Sequence, residues 1–210
     1  MSKITLDAKV LGMIGTNCYL VKNEDVKQAV LIDPADDAYM IQNMITMSGC
    51  ELKAVLLTHG HFDHMTAAKA VCVKNHVNLY ANEAEREMLA DPQMNLSINY
   101  QEGVSIEADC WLKDGEQLHI AGMDISVIHT PGHTSGGTCY YFKEAGFLFS
   151  GDTLFMASVG RTDFPTGSMS QIVRSVKEKL MILPDDTKVF PGHGESTSIG
   201  YERKFNPYCQ

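Results

Sequence analysis

The segment His59-Gly60-His61-Phe62-Asp63-His64 places four side chains able to ligate a divalent metal within six residues. Imidazole nitrogen and carboxylate oxygen are the donors that zinc, iron and manganese accept. A structural site draws about four ligands from a whole chain; here that number sits in one turn. Three more candidates lie downstream: His133 in Pro131-Gly132-His133-Thr134, Asp152 after Gly151, and His193 in Pro191-Gly192-His193-Gly194. Five histidines and two aspartates brought to one point suffice for two metal sites that share one bridging carboxylate. Two dications about 3.5–4 Å apart share a bridging hydroxide and can lower the pKa of water from about 15.7 to about 7. Such a centre hydrolyses a polarised carbonyl with no Ser, Cys or His nucleophile. Asp63 is expected to orient that hydroxide besides binding metal.

The elements that must position these groups are short apolar runs. Asn17–Val21, Ala29–Ile32, Ala54–Thr58, Leu79–Ala81, Ile125–Ile128 and Lys188–Phe190 read as strands. Thr138–Phe142 and Phe147–Ser150 read as a hairpin pair around Glu144-Ala145-Gly146. Helices are expected over Asp37–Met47, Met65–Lys74, Glu83–Leu89 and Met169–Leu180, the last capped by Ser168 or Ser170. Met40, Ile41, Met44, Ile45 and Met47 form the apolar face of the first. Asp91 to Cys110 has no clear period and reads as an insertion or a lid-like loop. Several metal candidates follow directly on a strand, and strand ends are rigid mounts. Strands in two groups with helices in each fit two face-to-face sheets with helices outside, an α/β architecture in one domain spanning residues 1–210.

Composition narrows the classes. A net charge of −9 argues against a partner that tracks nucleic-acid phosphates. No apolar stretch is long enough to span a bilayer, and Met1 to Asp7 lacks the apolar core of an export signal. A cytoplasmic protein with no membrane partner is the expectation. The six cysteines lack a Cys-x-x-Cys pair and read as free thiols, mostly small core residues.

His59-x-His61-x-Asp63-His64, Pro131-Gly132-His133-Thr134, Gly151-Asp152 and Pro191-Gly192-His193-Gly194, in this order, resemble the metallo-β-lactamase superfamily. The resemblance implies a four-layer αββα sandwich of two mixed β-sheets with the site at one edge. It implies His59, His61 and His133 on one metal, Asp63, His64 and His193 on the other, and Asp152 between them. The metals are expected to be zinc, with iron or manganese as alternatives. Pro131 to Gly136 followed by Cys139-Tyr140, and Gly151 to Phe155, resemble glyoxalase II, the hydroxyacylglutathione hydrolase. That resemblance implies a thioesterase acting on S-D-lactoylglutathione or a related acyl thioester. Full-length glyoxalase II continues into a helical segment that contacts glutathione, whereas this chain ends at Gln210, which leaves the thiol carrier open. β-Lactamases of the major class carry Cys where this chain has Asp152 and are exported, which weighs against antibiotic hydrolysis.

Other residues receive expected roles. Asp33, at a strand end, is a candidate to fix a metal-bound histidine from behind, and His129 is another. Arg161 is the candidate grip for a substrate carboxylate through a bidentate pair, or else a loop anchor to Asp163. Lys143 and Tyr141 are weaker substrate candidates, with Tyr141 leaning to the core. His76 and His119 read as surface or helix-end residues. The competing enzyme is a persulfide dioxygenase with one iron on His59, His133 and Asp152, which Gly160-Arg161-Thr162-Asp163-Phe164 also resembles. The competing non-enzyme is a metal-binding or redox-partner module.

Overall fold

The structure, a computed structural model, describes residues 3–100 and 102–210. The first half of the chain runs β1 (Ile4–Leu11), β2 (Thr16–Asn23), β3 (Gln28–Ile32), α1 (Ala38–Ser48), β4 (Glu51–Leu56), α2 (Phe62–Met65), α3 (Ala68–Asn75), β5 (Asn78–Asn82), α4 (Arg86–Ala90) and β6 (Cys110–Leu112). The second half runs β7 (Gln117–Ile120), β8 (Met123–His129), β9 (Thr138–Phe142), β10 (Phe147–Gly151), β11 (Leu154–Phe155), β12 (Ser158–Val159), α5 (Met169–Ser175), β13 (Lys188–Pro191), β14 (Thr197–Ser198) and α6 (Ile199–Phe205).

Two six-stranded mixed sheets result, ordered β1-β2-β3-β4-β5-β6 and β14-β13-β10-β9-β8-β7. In the first, β3, β4, β5 and β6 are parallel neighbours; in the second, β10 and β13 are. Alternation along the strands sorts side chains between faces. Val21, Val30, Leu56, Ile125, Val127, Tyr140 and Phe149 meet in one cluster drawn from both sheets. Leu20, Leu31 and Val55 pack instead against Ile41, Ile45, Ala68 and Val71 of α1 and α3. Cys139, Tyr141 and Leu148 pack against Ile172 and Val176 of α5 and its continuation. Three cores between four layers make this the αββα sandwich of the expected α/β class.

Several elements differ from the expectation, each for a local reason. The helix expected over 65–74 is two: the chain turns at Thr66-Ala67, where the Ala67 N–H donates to the Pro34 carbonyl. The helix expected to Leu180 changes at Ser175 into a π-helical turn, Val176–Leu180, while Ile172, Val176 and Leu180 stay buried. Ser168 occupies its N-cap position but its hydroxyl makes no cap bond. On α1 the buried face is Ile41, Met44 and Ile45, with Met47 88% exposed. Strand β1, paired along β2, was missed, although Ile4, Leu6, Ala8 and Val10 alternate. Among the described residues, no helix is long and apolar enough to cross a membrane.

Candidate metal centre

The topology brings the seven candidates to one edge of the sandwich. Strand β4 ends at Leu56, and two further buried residues, Leu57 and Thr58, carry the chain to His59. The next turn holds His61, and α2 begins at Phe62, which sets Asp63 and His64 one residue apart on its first turn. The loop between β8 and β9 carries His133. The parallel register pairs Gly151 with Pro191, so Asp152 and His193 follow on adjacent strand ends.

His59 Nε2 lies 3.1 Å from His61 Nδ1, and His133 Nε2 lies 2.9 Å from the same atom. The outer nitrogens define the tautomers. His133 Nδ1 donates to the Arg161 carbonyl at 2.8 Å. His64 Nδ1 donates to Asp33 Oδ2 at 2.9 Å. Thr58 Oγ1 donates to Asp33 at 2.7 Å, so its lone pair is left for His59 Nδ1–H at 3.1 Å. The Nε2 lone pairs of these three rings therefore point inward. Potential ligand atoms form three overlapping groups, each within 4.8 Å: His59 with His61 and His133, His59 with His64 and Asp152, and Asp63 with His64 and His193. Asp152 spans them, 3.5 Å from both His133 Nε2 and His64 Nε2 and 3.6 Å from His193 Nε2.

His64 Nε2 and Asp152 Oδ1 are both buried without a hydrogen-bond partner. Orphaned buried polar atoms are costly, and a cation between them satisfies both. A buried donor set of imidazole lone pairs and carboxylate oxygens fits two dications of the zinc, iron or manganese type. The electrostatics agree. Burial drives His59 and His61 well below the usual imidazole range. Burial also opposes charge on His64, yet Asp63, Asp33 and Asp152 together raise it to about 10. Asp63 is lowered despite its burial, because His64, His193 and Thr16 favour its anion. The carboxylates of Asp63, Asp33 and Asp152 thus make this end of the centre a place that favours positive charge.

The remaining candidates separate. Asp33, in the left-handed region at φ 50°, accepts from the Thr58 N–H, the Thr58 hydroxyl and His64. His129 touches none of the seven; its Nε2 donates to the Ser135 carbonyl at 2.8 Å and braces the loop that carries His133. Arg161 lies on the rim with both arms of its fork on Asp163, at 2.7 and 2.6 Å, and its guanidinium 4.0 Å over the Phe164 ring. Two substrate candidates fall away from the site. Tyr141 faces the helix layer because strand alternation turns it from the inter-sheet face. Lys143 lies in the β9–β10 turn, at the opposite end of β10 from Asp152. His76 closes α3 as its C-cap, and His119 pairs with Asp124 on the exposed β7–β8 hairpin.

Three supporting residues were not anticipated. The Thr16 hydroxyl donates to Asp63 Oδ2 at 2.7 Å. Asn17 Nδ2 donates to the carbonyls of Pro191 and Gly194 on either side of His193. Glu85 is buried, and its two carboxylate oxygens accept from the Gly60 N–H at 2.7 Å and the Gly136 N–H at 2.6 Å. It ties the His59–His61 turn to the His133 loop. One acid among Glu83, Glu85 and Glu87 carries no sequence signal for this role; a Thr-Asn pair opening a strand beside the site is a faint one.

A cleft of about 480 Å³ opens over the centre. Its floor is His61, Asp63, His133, Asp152 and His193, and its walls are Ile14, Phe62, Leu96, Tyr100, Phe155, Arg161 and Phe164. Leu96 and Tyr100 come from the segment expected as an insertion or lid. That segment is anchored: Asn95 and Ser97 are buried, Asn95 bonds the Val104 carbonyl, and Tyr100 stacks on Phe62 at 4.9 Å.

Residues 11–193 match the family model described as the metallo-beta-lactamase superfamily. The hydroxyacylglutathione hydrolase GloC of Haemophilus influenzae is 34% identical over 195 residues, covering 91% of this chain and 92% of that protein. A crystal structure of BLEG-1 B3 metallo-beta-lactamase superposes with a TM-score of 0.93 at 38% identity, covering 98% of this chain and 99% of that one. A structure of TTHA1623 in a di-iron-bound form gives 0.85 at 31% identity, over 96% and 99%.

Proposed function

This chain belongs to the metallo-beta-lactamase superfamily, and from that premise we propose that it is a dinuclear metal-dependent hydrolase of acyl thioesters, glyoxalase II-like in its chemistry. Metal-dependent hydrolysis is the prevailing activity of the superfamily. The observation that carries the reading is Asp152, within 3.6 Å of His64, His133 and His193. Its carboxylate would serve as the shared ligand that a two-metal centre needs.

When bound, two divalent metals supply an activated water at neutral pH and polarise the scissile carbonyl. His59, His61 and His133 would hold one and Asp63, His64 and His193 the other, with Asp152 common to both. The chain itself does the positioning. Asp33 and Thr58 fix the rings of His64 and His59, and the Arg161 carbonyl fixes His133. Asp63, kept ionised and steadied by Thr16, can accept a hydrogen bond from the attacking water and so aim its oxygen. Hydrolysis adds that oxygen to the carbonyl carbon, breaks the C–S bond and leaves a carboxylic acid and a thiol.

The GloC relative supports a thioester, and S-D-lactoylglutathione is the first substrate to try. We place the reaction in the cytoplasm on a small-molecule substrate, with neither nucleic acid nor membrane as partner; six free cysteines suit a reducing compartment. Zinc is the proposed metal, with iron next because of the di-iron neighbour. The likeness to BLEG-1 gives β-lactam hydrolysis a place as a second reading. The Asp63, His64 and His193 group weighs toward two metals over a one-iron dioxygenase. The test is turnover by zinc-, iron- and manganese-loaded protein on S-D-lactoylglutathione, a simple acetyl thioester and a β-lactam, with oxygen uptake followed on glutathione persulfide. Thioester cleavage without oxygen uptake is expected. Turnover of the β-lactam alone, or oxygen consumption alone, would overturn the proposal.

A further inference from the structure

The cleft over the centre has a composition that bears on the substrate. Above the ligand floor its walls are mostly apolar or aromatic: Phe62, Tyr100, Phe155, Phe164, Ile14 and Leu96. Two of these are costly to leave in water, since Tyr100 is 48% and Ile14 43% exposed. The Tyr100 ring stacks on the buried Phe62 ring with an interplanar angle of 18°, so Phe62 backs Tyr100 and the Tyr100 ring is what that wall leaves exposed. Phe164 stands edge-on to His61 with ring centroids 5.5 Å apart, so it borders the reacting centre directly. Among the described residues that line the cleft, Arg161 is the one Lys or Arg. Its fork is already committed: Nε and Nη2 bind the two Asp163 oxygens and the guanidinium covers Phe164.

A glutathione thioester brings a peptide arm with two carboxylates and one ammonium. In this cleft those carboxylates meet aromatic rings and a guanidinium that Asp163 already neutralises. An uncharged apolar arm meets surface that gains from being covered. We infer that the cleft selects acyl thioesters whose thiol arm is apolar and uncharged, seated on the Tyr100 ring that Phe62 backs and against Phe164, over thioesters of anionic peptide thiols. The inference rests on the thioesterase reading for its chemistry, and on the cleft alone for its preference. The step is the hydrolysis given above: water's oxygen bonds to the acyl carbon, the C–S bond breaks, and a proton goes to the departing thiolate.

Two measurements on metal-loaded protein keep chemistry and preference apart. The first is kcat/KM for one acyl group, D-lactoyl, on benzyl mercaptan, on glutathione and on glutathione diethyl ester, which keeps the glutathione skeleton and its ammonium without the carboxylate charges. The second is calorimetric binding of the acetonyl thioethers of benzyl mercaptan and glutathione, which carry a ketone and no scissile bond. The benzyl thioester should exceed the glutathione thioester in kcat/KM by about tenfold or more, the scale set by covering one aromatic ring. The benzyl thioether should bind tighter by a similar factor, and the diethyl ester should fall between. Tyr100→Ala should raise KM for the benzyl thioester about tenfold with a smaller change in kcat. Asp163→Ala should free the Arg161 fork and improve kcat/KM for the glutathione thioester relative to the benzyl one. Equal or better binding of the glutathione thioether overturns the inference even if thioesters are cleaved. Tighter binding of the benzyl thioether without cleavage of any thioester overturns the thioesterase proposal and leaves the apolar preference standing.

Discussion

Asp152 and His64 are the residues on which both clusters turn. Asp152 reaches three histidines within 3.6 Å, and one of its oxygens is buried without a partner. Replacing Asp152 with Ala removes the shared anion, so elemental analysis should find at most one metal per chain and activity should fall by several orders of magnitude. Full metal content with near-normal turnover would exclude it as the bridge. The raised pKa of His64 makes metal binding depend on pH. Its pKa rises from 6.5 to about 10 without metal, burial opposing and Asp63, Asp33 and Asp152 prevailing. A dication must displace the proton on His64. The apparent affinity of the site formed by Asp63, His64 and His193 should therefore increase as pH rises from 6.5 toward 10 and level off above. His193, also raised, acts in the same direction. Calorimetry in buffers of different ionisation enthalpy should detect proton release on binding; affinity independent of pH over that range would contradict it.

Between residues and the whole lie the turns that carry the ligands. Each is held by backbone contacts that tolerate little change. A Cβ on Gly192 would stand 2.3 Å from Asp152 Oδ1 and 2.6 Å from the His64 ring, so only glycine lets β13 deliver His193 here. Glu85 does the equivalent work between the β4–α2 turn and the β8–β9 loop. Each carboxylate oxygen takes one backbone N–H. Glu85→Gln turns one acceptor into a donor facing a donor, so one of the two loops must shift. The variant should lose about 10- to 100-fold in metal affinity, the scale for partners that orient ligands. The loss should fall on the His59, His61 and His133 site and spare the Asp63, His64 and His193 site, as seen in stepwise metal titration with far-UV circular dichroism unchanged. Equal weakening of both sites would mean that Glu85 supports the fold in general. Little of this support is legible in the chain. Near-continuous apolar runs foretell β2, β3, β9 and β10, because burial on both faces leaves no polar alternation in these strands. Glu85 is invisible because its charged neighbours in sequence make it look like one more solvated acid.

At the scale of the molecule, the candidate ligands join the two sheets. His59 follows β4 in the first sheet, whereas Asp152 and His193 follow β10 and β13 in the second. Bound metal should therefore act as a clamp across the inter-sheet core. Ligand at a thousand times its Kd stabilises by about 4 kcal/mol, which for a chain of this size corresponds to roughly 10 °C in Tm. Treatment with a chelator should lower Tm by about that much, and zinc, iron or manganese should restore it. An unchanged Tm with proven loss of metal would show that the sandwich stands without the clamp.

The sequence by itself determined the candidate ligand types, their order and the strands that precede several of them, because each motif is a short stretch whose chemistry is written in consecutive residues. With the family resemblance it also determined the αββα architecture. Tertiary structure decided what depends on residues far apart in the chain. The tautomers of His64 and His133 are set by Asp33, from the end of β3, and by the Arg161 carbonyl. Tyr141 and Lys143 lost their substrate roles once strand alternation and hairpin direction were laid out in space. The cleft wall joins Ile14, Tyr100 and Phe164 from three separate loops. Their meeting is a property of how the two sheets pack, and no local period in the chain encodes it.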